Sequence, residues 1–163
     1  MNAPAALDGH TKVVLRILVF DALIILCCSY ALLRGGAPER ICGCALLIAY
    51  AATLASYSAL PIRFYRLELR IFAVDLALLF VLVAVALRAD RRWPLLLAGL
   101  QLATVTMHLL KLRYEDIIRV VYAFTIAIAA YPMIVALAVG TWRHQRRLMV
   151  QGYDRPWTMR DES

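Results

Sequence analysis

Five apolar runs follow one another along this chain, at about residues 13–33, 41–60, 70–88, 94–111 and 117–142, and the short breaks between them carry most of the charge. A run of about 20 apolar residues is what a helix needs to cross a hydrocarbon core about 30 Å thick. Lipid leaves a spanning segment no partner for its backbone except itself, so each run must be helical. Hydrophobic residues make up 63% of the 163, with a mean hydropathy of +0.72; a soluble domain has roughly half. The expected fold is therefore all-α: an integral membrane bundle of five transmembrane helices between a polar N-terminal tail, 1–12, and a basic polar C-terminal tail, 143–163.

The breaks have the chemistry of turns. Gly35, Gly36 and Pro38 lie in the first, Pro61 closes the second run, and Pro94 suits the first turn of the fourth helix. Breaks this short force consecutive helices to run antiparallel. The third and fourth runs hold about 17 apolar residues each, near the lower limit for a span; a buried re-entrant pair is the alternative, and full spans are the reading preferred.

One motif occurs twice. Leu15-Arg16-Ile17 precedes Asp21, and Leu69-Arg70-Ile71 precedes Asp75 at the same offset; Ile118-Arg119-Val120 echoes the triplet without the acid. The arginines are 54 and then 49 residues apart, one helical hairpin per interval. This spacing predicts two same-direction hairpins plus a fifth helix, an arrangement related to the parallel repeats of some transporters.

Net charge is +7, but the basic residues lie in or beside the breaks, which points to topology and lipid-headgroup contact and not to nucleic acid. With five spans, Arg34, Arg40, Arg88, Arg91, Arg92, Arg143, Arg146, Arg147, Arg155 and Arg160 share one face. Lys12, Arg16, Arg63, Arg66, Arg70, Lys111, Arg113 and Arg119 share the other. The denser face, with the Arg143–Arg147 cluster, is expected in the cytoplasm together with the C-terminus, in a multi-pass protein of the cell inner membrane. Lys12, Arg16 and the run to Cys28 have the outline of a signal peptide, but Asp21 interrupts it, and Leu26 is too large to precede a lipoprotein cysteine at Cys27.

Aspartate within a span is costly, about 2.5–3.5 kcal/mol at a central position on insertion scales. Asp21 and Asp75 lie about 7.5 Å deeper than their arginines and about 140° around the helix, so each must find a partner on another helix. Arg16, Arg70 and Arg119 are the ion-pair candidates. Gln101, Thr104 and His108 share one helix face; Arg119, Tyr122 and Thr125 form a second stripe, and Tyr50, Thr53 and Tyr57 a third. Turning these inward gives a polar intramembrane layer of Asp21, Asp75, His108, Arg119 and Tyr122, continued by Gln101 and Thr104. Such a layer is either an interhelical lock or a site for a proton or small polar solute.

Small residues recur every four positions at Ala51, Ala55 and Ala59, at Ala45 and Ala49, and at Ala136 and Gly140. This is the pattern of close helix contact, whether internal, to a protein partner or to a second copy. Pro132 is expected to kink the fifth helix. Cys27, Cys28, Cys42 and Cys44 lack a trustworthy metal-ligand spacing and read as small apolar residues, so neither a metal nor a cofactor is expected. No catalytic motif is present and the loops are too short for a catalytic domain. The function expected is that of a non-enzymatic small subunit, scaffold or accessory component of a membrane complex; the alternative is a small transporter or channel component built on the Asp/His/Arg layer.

Overall fold

The computed structural model describes residues 3–58, 64–113 and 119–154, with side chains over 11–56, 69–111 and 129–154. The described chain is helical throughout: α1 Ala3–Arg34, α2 Ala37–Ser58, α3 Phe64–Arg88, α4 Trp93–Arg113 and α5 Arg119–Gln151. Four of the five are long and apolar enough to cross a membrane, over Thr11–Arg34, Ala37–Ser56, Leu69–Arg88 and Trp93–Lys111. They form a membrane-embedded type of bundle by composition, with large apolar side chains such as Leu26, Phe80, Leu87 and Leu95 facing outward. In α5 side chains are described from Ala129 on, a stretch that includes Trp142-Arg143-His144-Gln145-Arg146-Arg147.

The helix ends depart from the hydropathy limits in informative places. α1 begins at Ala3, not near residue 13, and α5 runs to Gln151, not to 142. Hydropathy marks where lipid would end, whereas the helix continues while its residues favour it. Ala5, Ala6 and Leu7 on one side, and Arg146, Arg147, Leu148 and Met149 on the other, are good helix formers. The third and fourth helices are also longer than their apolar runs. With 25 and 21 residues, they reach about 37 and 31 Å at 1.5 Å per residue, enough for a full crossing.

The helices close a ring. α1 packs on α2, α2 on α3, α3 on α4, α4 on α5 and α5 back on α1, with a thinner α2–α5 contact across the middle. The core lies in the half nearest the α1–α2 and α3–α4 turns. Leu82, Leu97 and Leu137 are fully buried there with Cys28 and Cys42. Helices in lipid gain little from the hydrophobic effect, so this interior holds by close packing. Ala136 and Gly140 lie inside the core: a Cβ at Gly140 would sit 2.9 Å from the Trp93 ring, so the absent side chain is what lets α4 and α5 approach. Ala51 and Ala55 face outward.

Matching positions of α1 and α3 are buried: Ile24, Cys28, Ala31 and Gly35 against Leu78, Leu82, Val85 and Ala89. Both helices end alike, with Gly35 N–H donating to the Ala31 carbonyl and Ala89 N–H to the Val85 carbonyl, each at 2.8 Å. Pro38 and Pro94, both fully buried, occupy the first turns of α2 and α4, where a missing N–H costs nothing. α5 passes through Pro132 as one helix and ends at Gly152. That glycine has φ +73° and donates to the Leu148 carbonyl at 3.0 Å, a left-handed C-cap that reverses the chain.

Candidate functional site

Asp75 projects from α3 toward α4, about three turns after the helix begins. Gln101, Thr104 and His108 come from one face of α4 and are nearly inaccessible. Gln101 Nε2 donates both to the Asp75 carbonyl and to Asp75 Oδ1, at 3.0 Å each. His108 Nε2 lies 2.8 Å from Asp75 Oδ2, and the Phe72 ring packs edge-on against the imidazole at 6.1 Å. The carboxylate is thus held at both oxygens by one neighbouring helix. Thr104, between them on the same face, turns its hydroxyl back to the Leu100 carbonyl at 3.2 Å, a local bond that satisfies it without joining the cluster.

The other aspartate lies elsewhere. α1 and α3 are not ring neighbours, so Asp21 and Asp75 do not meet. Asp21 interacts with the Tyr50 hydroxyl of α2. Around it Phe20 stacks edge-to-face on Tyr50 and on Tyr131 of α5, at 6.4 and 5.4 Å. Each aspartate is therefore engaged by the second helix of its own hairpin. Arg16 and Arg70 are exposed, and Asp75 takes its partners from α4, Gln101 and His108, instead of an arginine from another helix. Arg119 and Tyr122 lie outside the residues whose side chains are described, as do Thr125 and Tyr57.

A second polar cluster, at the opposite end of the bundle, was not apparent in the sequence. Glu39, in the first turn of α2, is completely buried and pairs with Arg91 at 3.0 Å. Arg91 reaches on to Asp154 at 2.6 Å. Asp154 also accepts from Arg147 Nε at 2.6 Å and contacts His144 Nδ1. The reversal at Gly152 brings Asp154 back over the last turns of α5. Burial alone would raise the Asp154 carboxyl, but the bonds from Arg147, Arg91 and His144 and the charge of Arg91 outweigh it and hold the group well below the usual carboxylate range. Nearby, Gln145 Nε2 donates to the Arg34 carbonyl. Two turns, α2 and the end of α5 are thereby tied together. The one signal available was Glu39 itself, the lone acid between Arg34 and Arg40, placed where a helix N-terminus favours negative charge.

Among the described residues, no three His, Cys, Asp or Glu side chains converge as a metal site needs. Cys28 and Cys42 are buried in the core, and Cys44 faces outward. Chemically, the Asp75–His108 contact can hold or pass one proton, and Gln101 fixes the orientation of the acid. Compared with protein families, curated proteins and solved structures, the chain matches none of them.

Proposed function

We propose that the chain is a five-span protein of the cell inner membrane, with its C-terminal end in the cytoplasm, acting as a small non-enzymatic subunit or scaffold of a membrane complex. The observation that carries this reading is the bonding of Asp75: both oxygens are engaged by Gln101 and His108 of the adjoining helix. An ionisable group so satisfied locks α3 to α4 and leaves little for a passing solute. The paired burial of α1 and α3 and the matched prolines support two same-direction hairpins followed by a fifth helix. The arginine-dense end supports a cytoplasmic C-terminus. Of the small-residue rows, Ala136 and Gly140 serve the internal contact, and the outward face of α2 at Ala51 supports contact with a partner or a second copy.

The test is purification of the tagged full chain in mild detergent. A stoichiometric membrane partner is the expected result; a monodisperse single chain would overturn the subunit reading. A transporter or channel component is the second reading, favoured by the Asp75–His108 contact itself, because a carboxylate beside an imidazole can relay a proton. Asp75→Asn separates the two. Lowered abundance with unchanged proton or solute flux supports the lock, and lost flux at unchanged abundance supports transport.

A further inference from the structure

Among the described residues, two of the three acids at the arginine-rich end are used inside it. Glu39 and Asp154 neutralise Arg91 and Arg147. Around that buried core Arg34, Arg40, Arg88, Arg92, Arg143 and Arg146 are all exposed, and Asp90 is the one exposed acid described among them. Contacts across the helix ends place these arginines at one level: Glu39 to Arg91, Gln145 to the Arg34 carbonyl, and Gly140 against Trp93. Immediately below them the surface becomes apolar. Leu33 and Leu87, each next to an arginine, are 76% and 80% exposed. Trp142 is half exposed, and the Arg146 guanidinium lies 5.6 Å from its ring centroid. A tryptophan with an apolar face below and a cation above marks the depth of lipid headgroups.

We infer that this end of the bundle binds anionic phospholipid, its exposed guanidiniums taking the headgroup phosphates of lipids that carry a net negative charge. The inference rests on the membrane-embedded reading above and goes beyond it by choosing the lipid. A zwitterionic headgroup brings its own cation to the phosphate and so gains little from a further arginine. A net-negative headgroup has no such internal partner, and arginine meets phosphate oxygens with two parallel N–H donors. A basic residue near an anionic leaflet is worth about fivefold in association, and one lipid meets one or two of the six.

The experiment reconstitutes the full chain in vesicles that mix unlabelled lipid with acyl-brominated phosphatidylglycerol or acyl-brominated phosphatidylcholine. Tryptophan quenching then gives the relative association of each lipid. A preference of about fivefold for phosphatidylglycerol is expected, falling to near parity in R88Q/R92Q/R143Q/R146Q. The matched lysine variant, R88K/R92K/R143K/R146K, is expected to keep most of the preference. Equal quenching by both lipids in the unmodified chain overturns the inference, as does a preference that survives the glutamine variant or is lost equally in the lysine one. Quenching by neither lipid would instead sink the membrane-embedded reading.

Discussion

Asp75 tests how a span tolerates a charge. Both its oxygens are bonded to α4, so removing one partner strands the other. Asp75→Leu and His108→Leu are each expected to destabilise the bundle by roughly 1–2 kcal/mol, and the double substitution by less than their sum. The coupling should lie near the 0.6–1.7 kcal/mol seen for interhelical bonds in membranes. Unfolding in mixed micelles measures it, and strict additivity would show that the pair does not act as one unit. Part of this site was legible. Spacing within a helix is fixed by 3.6 residues per turn, so the shared face of Gln101, Thr104 and His108 could be read directly. Partners across helices could not. Which side chain meets Asp75 depends on ring order and helix rotation, which no single segment encodes, and so Asp21 finds Tyr50 of α2 instead of an arginine from another helix.

At the level of elements, the end of α5 behaves as a strap. Gly152 holds a left-handed φ that an L side chain rarely adopts, so Gly152→Ala should cost about 1 kcal/mol and loosen Asp154, read as a lowered melting temperature. The Asp154 carboxyl titrates below its unfolded value, so its stabilising contribution is complete above about pH 4, shrinks as pH falls, and disappears below the folded value. Asp154→Asn should therefore flatten the acid side of a melting-temperature profile and lower the plateau at neutral pH; an unchanged profile would rule out the strap. Where α4 meets α5, Gly140→Val must displace the Trp93 ring, at a cost of about 1–3 kcal/mol, with a shift in tryptophan emission as the readout. These devices were hidden in the sequence because they sit in stretches that composition marks as breaks and tail. Nothing in the sequence pairs Glu39 or Asp154 with a basic residue, and only the folded turns bring both to Arg91.

Across the whole molecule, five helices in antiparallel succession place Thr11 and Asp90 at opposite ends of the bundle. Cysteines introduced at Thr11 and Asp90 should differ in labelling by a membrane-impermeant maleimide in intact cells, above the background of the native thiols: Thr11→Cys reactive, Asp90→Cys protected until the membrane is opened. Equal reactivity of both would contradict the proposed topology. The number and order of helices were legible because each is built on an apolar run set off by short charged breaks. Closure of the ring was not, since it depends on α1 meeting a helix more than a hundred residues later. That closure also dictates a sequence of events during synthesis. α1 is made before α5, the helix that completes its side of the ring, so that flank of the bundle stays without its cover until α5 is synthesised. A nascent chain halted before residue 119 would lack α5 altogether and leave the ring open between α1 and α4, a natural target for insertion chaperones or for the proteases that clear half-made membrane proteins.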